Sequence, residues 1–238
     1  MKSPQDPREL KIIRSWHSNA QAWSNAIRTA SIASRKLVTD QAIIDAVSSI
    51  AASRVLDIGC GEGWLARALS ALGMSAVGVD IVPDLIARAV ALGGAEFRLL
   101  DYASIAKRQL HLGPFDAAVC NFSLLGRESV ESLIEALPFY LDDRGILIIQ
   151  TLHPIAACGD SAYQDGWREG SWLGFSSDFS SPAPWYFRTL ESWCALLERC
   201  DFEILECREP KAPGVATPAS IIWICKTRCP VQTGRYGA

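Results

Sequence analysis

Three glycines at alternate positions, Gly59, Gly61 and Gly63, follow an apolar run carrying one acid (Val55-Leu56-Asp57-Ile58) and precede a segment of helical spacing. Glycines placed there let the backbone adopt positive φ and let a ligand approach closely. The unpaired N–H groups of the helix that follows favour acceptor atoms. The chemistry implied is a nucleotide-type ligand pocket. The dinucleotide fingerprint needs its third glycine three positions after the second, and that position is Trp64. An NAD-dependent oxidoreductase is therefore disfavoured.

More polar residues fall at equivalent places further on. Asp80, 21 residues after Gly59, ends a second apolar run and is followed by Ile81; as an acid at a strand end it can accept hydrogen bonds from both hydroxyls of a ribose. Asp101-Tyr102 ends a third run and Asn121-Phe122 a fourth. In open α/β sheets ligands lie beyond the carboxyl ends of the strands, where strand order reverses, so these residues share one edge with the glycine loop.

The elements that must position them alternate along the chain. Strands are predicted at 55–58, 76–80, 96–100, 115–121 and 145–151, with helices at 65–72, 83–92, 104–110 and 128–137 between them. Repeated βα units imply a parallel sheet with right-handed crossovers and helices on both faces. Thr189 can cap a helix running through Arg199, and two strands follow, 202–208 and 221–226. Their Pro/Gly-rich joint is too short for a helical crossover, so this last pair must run antiparallel.

Read as Asp57-x-Gly59-x-Gly61-x-Gly63, the glycine run resembles the first motif of class I S-adenosylmethionine-dependent methyltransferases, small-molecule branch. The resemblance implies a doubly wound, Rossmann-like seven-stranded α/β sheet, mostly parallel, whose antiparallel last strand is inserted between the fifth and sixth. It also implies S-adenosylmethionine as cofactor, bound by Asp57, Gly59, Cys60, Gly61, Gly63, Asp80, Ile81, Asp101, Tyr102, Asn121 and Phe122. Asp101 would meet the adenine amino group, and Asn121-Phe122 the methionine portion. N-terminal helices of similar enzymes fold over the cleft, so Arg28 or Arg35 would pair with the methionine carboxylate.

Methyl transfer from a sulfonium is an in-line displacement on an activated carbon, so alignment and water exclusion supply much of the rate. Residues 152–188 are too long for an ordinary connection and are dense in aromatics; they are expected to form a substrate-binding cap inserted after the fifth strand, with a satellite cluster over the sheet edge as the alternative. Trp167, Trp172, Trp185 and Tyr186 of the cap, Trp23 of an N-terminal helix and His153 are the expected substrate contacts. His153 follows the fifth strand, and Pro154 would aim its imidazole at the cleft, making it the first candidate for general base; Tyr163, then Asp160 and Asp165, come next. Residues 1–52 are read as a helical lid, 53–227 as the methyltransferase domain and 228–238 as a flexible tail.

Composition sets outer bounds. The 238 residues are 49% hydrophobic and carry a formal charge of −3, which disfavours sequence-independent nucleic-acid binding. Residues 1–36 hold seven basic against two acidic residues, an excess read as a solvated helix face. Eight cysteines show no paired metal-binding spacing and read as reduced and buried. No apolar run approaches the about 18 residues of a membrane span. The expectation is a cytoplasmic monomer or homodimer, without metal, that methylates O, N or C of a small, partly apolar molecule. The alternative is a catalytically inert S-adenosylmethionine-binding partner subunit.

Overall fold

The apolar runs at 55–58, 76–80, 115–121 and 145–151 can be buried only if helices cover both faces of the sheet they form. In the computed structural model, which describes residues 6–228, they do so in the order of the chain. Helices α1 (Pro7–Arg28) and α2 (Asp40–Ser48) lead into β1 (Arg54–Ile58), α3 (Trp64–Ala71), β2 (Ser75–Asp80), α4 (Pro83–Leu92), β3 (Glu96–Leu99), α5 (Tyr102–Ala106), β4 (Phe115–Asn121), α6 (Glu128–Ala136) and β5 (Leu141–Thr151). After β5 come α7 (Pro154–Cys158), the two short strands β6 (Gly166–Arg168) and β7 (Trp185–Phe187), α8 (Leu190–Arg199), β8 (Phe202–Arg208) and β9 (Ile221–Thr227).

The seven-stranded sheet runs β3-β2-β1-β4-β5-β9-β8. Only β9 is antiparallel to its neighbours, and it lies between β5 and β8. Side-chain alternation divides the core. Leu56, Ile58, Ala118, Cys120, Leu147 and Ile149 face α5, α6 and α8. Val55, Ala117, Val119 and Ile148 face α2 and α3. Strand order reverses between β1 and β4, so the cleft opens beyond their carboxyl ends.

Boundaries move where side chains compete with propensity. The helix expected at 104–110 begins at Tyr102, because the Asp101 carboxylate accepts from the Ser104 amide at 2.7 Å and caps it. β5 starts at Leu141 rather than 145, because Leu141 pairs with Phe115 across a register shift. The expected tail, 228–238, lies outside the described residues apart from Arg228. The seven described cysteines are free, but burial is not general: Cys207 is exposed and Cys158 and Cys194 are half-buried.

Helix α1 crosses the open edge of the sheet. Asp6 caps it and Pro7 starts it, the one residue that loses nothing by lacking an N–H there. Its apolar stripe, Trp16, Ala20 and Trp23, packs on Ile81, Val82 and Leu85. Buried Glu9 accepts from the amides of Arg127 (2.8 Å) and Ser129 (3.2 Å), satisfying the first turn of α6. Glu9→Ala is expected to cost about 1–3 kcal/mol in urea unfolding by stranding those donors, with Glu9→Gln retaining most of the stability.

Candidate functional site

The turn after β1 is pinned to β2. Gly59 and Cys60 donate their amides to the Val79 carbonyl at 2.8 and 3.0 Å, and Gly61 donates to Asp80 Oδ2 at 2.9 Å. The other Asp80 oxygen accepts from Val82 N at 2.8 Å, so one carboxylate ties two βα turns together. Burial raises the Asp80 pKa, opposed by the amides of Val82 and Gly61. Gly59 has φ +75°, and a Cβ there would come within 2.3 Å of Ser123 Cβ. Ser123 in turn donates to the Ile58 carbonyl (2.7 Å) and accepts, through its own carbonyl, from the Tyr102 hydroxyl (3.0 Å). Backbone thus forms the cleft floor at Gly59 because no side chain fits.

Asp57 lies beneath this floor and does not line it. It accepts from the Ala66 amide in the first turn of α3, a helix whose cap residue, Gly63, has no side chain to do so. Burial, then the nearby Asp80 carboxylate, push Asp57 up to about 7, and its Oδ2 has no partner. Gly63 likewise serves packing: a Cβ there would press into the Phe97 ring at 2.4 Å.

Two cavities meet at the loop. The smaller, about 180 Å³, is lined by Asp80, Ile81, Asp101, Tyr102 and α1 residues including Ile12 and Ile13. The larger, about 320 Å³, is lined by Cys60, Trp64, Trp172, Phe175, Trp185 and Tyr186, among others. Gly59, Gly61, Asn121, Phe122, Trp16 and Trp23 belong to both. Of the cofactor residues named from sequence, all but Asp57, Gly63 and Arg28 therefore line the cleft.

Arg28 ends α1 exposed to solvent and lines neither cavity, whereas Arg35 lines the larger one. A single π-helical turn, Arg35–Thr39, starts at this residue. Its guanidinium lies 4.6 Å from the Trp64 ring centre and 5.5 Å from that of Trp23. Nε donates to Asp40 at 2.8 Å, and the buried Nη1 has no partner. Trp64, which breaks the dinucleotide pattern, is the platform for this cation.

The proposed acid–base residues point elsewhere. His153 is 3% exposed and its Nε2 meets Glu209 at 3.0 Å, toward the joint before β9. Thr151, Leu152 and Pro154 line the cavity instead, the proline having taken the position expected of the imidazole. The Tyr163 hydroxyl accepts from Leu190 N at 2.8 Å, and Asp165 accepts from Thr189 N and Ser192 Oγ, so both hold the start of α8. Trp167 lies 4.7 Å from the Arg8 guanidinium and packs on Tyr186, away from the cavity. Sequence reading passed over Glu9 and Arg188. The second was detectable as a lone cation ending the run Trp185-Tyr186-Phe187.

A family model described as "Methyltransferase domain" matches residues 22–207. The chain belongs to that family, the class I enzymes that depend on S-adenosylmethionine. A ubiquinone biosynthesis O-methyltransferase of Xylella fastidiosa (strain M23) is 33% identical over 109 residues, 44% of each chain, so the match spans less than half the length of that relative. The fold is shared with the Burkholderia thailandensis 1,6-didemethyltoxoflavin-N1-methyltransferase, solved with 1,6-didemethyltoxoflavin and S-adenosylhomocysteine (TM-score 0.62, 18% identity, 95% of this chain and 91% of that one). It is also shared with an S-adenosylmethionine-dependent methyltransferase from Mesorhizobium loti (TM-score 0.55, 24% identity, 73% and 90%). No helix among the described residues is long and apolar enough to cross a membrane.

Asp57 carries a stability prediction. Its folded pKa lies above the ordinary 3.8, so its contribution is complete below that value and is lost as pH rises through about 7. In the ligand-free protein, Asp57→Asn should raise the thermal midpoint relative to wild type by more at pH 8 than at pH 5; an offset equal at both would remove the assignment.

Proposed function

We propose that the smaller cavity takes the adenosine half of S-adenosylmethionine and that the larger takes its methionine end together with the methyl acceptor, a small, partly apolar molecule methylated on O, N or C. The carrying observation is that the two cavities join at Gly59, Gly61 and Asn121, beside buried polar atoms with no partner of their own. Arg35 Nη1 suits a carboxylate and Asn121 Oδ1 suits an ammonium group, while Gly59, packed against Ser123, leaves bare backbone between the two cavities. The residues present fit the donor.

When bound, S-adenosylmethionine supplies a methyl group already activated by the sulfonium charge. The chain's own residues then bind, orient and exclude water. Asp80 pins the loop to the end of β2 and puts its own carboxylate on the wall of the smaller cavity, at the ribose position. Trp16 and Trp23 form a roof between the two cavities, their rings edge to face at 5.2 Å. Trp172, Trp185 and Tyr186 supply the acceptor walls, in line with residues 152–188 acting as a cap and 1–52 as a lid. A chamber left open beside the shared glycines supports turnover rather than an inert binding subunit. The relatives' names bracket the acceptor atom: one is an O-methyltransferase, another an N1-methyltransferase.

Calorimetry separates the two arginines named from sequence. Arg35→Ala should weaken S-adenosylmethionine binding about 10- to 100-fold, the value of a buried hydrogen bond to a charged group, and Arg28→Ala should leave the dissociation constant unchanged. Asp80→Ala should also weaken binding, and an unaltered constant would remove it from the donor site. His153→Ala should keep turnover within a few fold of wild type, because its ring faces Glu209.

A further inference from the structure

Among the described residues, no His, Asp, Glu or Lys lines the larger cavity. Its charged lining residues are both arginines, Arg35 and Arg188. Arg35, partly balanced by Asp40, is assigned to the donor's carboxylate in the reading above, on which the present step rests. Arg188 remains for the acceptor.

Arg188 is a buried cation bonded to two backbone carbonyls and one half-buried carboxylate. Its side chain is 2% exposed; Nη1 donates to the Gly126 carbonyl and Nη2 to the Arg127 carbonyl, each at 3.0 Å. The nearest anion is Glu131, 38% exposed, at 3.4 Å, and Arg199 approaches the same carboxylate at 4.0 Å. Asp165 contributes at longer range. Burial lowers the Arg188 pKa, yet a guanidinium keeps its proton in any protein interior. Its charge also reaches Tyr186, whose ring centre lies 4.8 Å from Arg188 and 5.3 Å from Arg127. The aromatic end of the chamber thus carries a positive field that the half-buried Glu131, shared with Arg199, only partly offsets.

That field sorts acceptors by charge. An alcohol needs a base to become a nucleophile, and an amine arrives as an ammonium ion that must be deprotonated beside two arginines and a sulfonium. An acid on an aromatic ring can enter as its anion, losing its proton to solvent, and is attracted. We propose that the acceptor is an aromatic acid, with an ionisable O–H or N–H on the ring, that binds and reacts as its anion against the field of Arg188. The anion's lone pair forms the new bond to the methyl carbon. The carbon–sulfur bond breaks with its electron pair remaining on sulfur, and the negative and positive charges cancel, so no protein base takes part. Arg188 is in this sense a positioning and charge-balancing residue.

The test uses 4-nitrophenol, whose anion absorbs visibly, added to the S-adenosylhomocysteine-loaded protein. Bound phenol should show the phenolate band with an apparent pKa lowered by about one unit or more, equivalent to tenfold tighter binding of the anion. Arg188→Gln should abolish that shift and Arg188→Lys should keep part of it, with S-adenosylhomocysteine affinity unchanged in each. Over a series of para-substituted phenols, the acid limb of the kcat/KM profile should move by about one pH unit per unit of the phenol's own pKa. Benzylamine and benzyl alcohol should react at least about tenfold more slowly. An unshifted pKa of the bound phenol in the wild-type protein, or benzylamine methylated as fast as the phenols, would overturn the proposal while leaving methyl transfer in place. Failure of S-adenosylhomocysteine to bind would instead overturn the donor-site reading beneath it.

Discussion

The site depends first on one carboxylate shared between two turns. Asp80 accepts from Gly61 on one side and Val82 on the other, so the loop after β1 and the start of α4 are fixed to the end of β2. Those bonds form in a buried place where losing either would strand an amide, which keeps the loop in a single path despite its three glycines. Asp57 extends the same arrangement downward by holding the first turn of α3. Burial and the nearby Asp80 carboxylate raise the affinity of Asp57 for a proton, a cost that the fold carries for a rigid floor.

Rigidity at the floor contrasts with the roof, which is assembled from distant pieces. Asn19 of α1 donates to the Ser180 carbonyl at 2.7 Å and accepts from the Ser180 amide at 2.8 Å, while Ser15 donates to Ser181 at 2.7 Å. Ala22 and Ala26 pack on Phe179, with Trp172 and Phe175 alongside. Helix α1 and the 152–188 segment are therefore neighbours at the cleft, and Trp16, Trp23 and Trp172, which line the larger cavity, are packed between them.

The parts of the site readable from the chain were those governed by local geometry. Gly59 and Gly61 sit on the cleft because the strand-to-helix turn needs positive φ there and Ser123 and Trp23 crowd the places their Cβ atoms would take. Asp80, Asp101 and Asn121 sit there because each ends a parallel strand, and such ends lie on one edge. His153 satisfied the same rule and still turned away, since which side of the chain faces the cleft after a strand ends depends on the next element, and Pro154 opens a helix that takes that place. Arg28 and Arg35 were equal in sequence. A single π turn and the Trp64 ring gave the cleft to Arg35.

What the sequence by itself determined was the order of elements, the antiparallel final strand, the glycine floor and the acids at the strand ends, because hydrophobic period and backbone sterics act over a few residues. What only the tertiary structure decided was the orientation of side chains beyond the sheet and the electrostatics of the larger cavity. Glu9 and the cap make their contacts across more than a hundred residues of chain, and Arg188 bonds to Gly126, 62 residues away. Their effect on a ligand is set by burial and by which partners come along, quantities that exist only once the chain is packed.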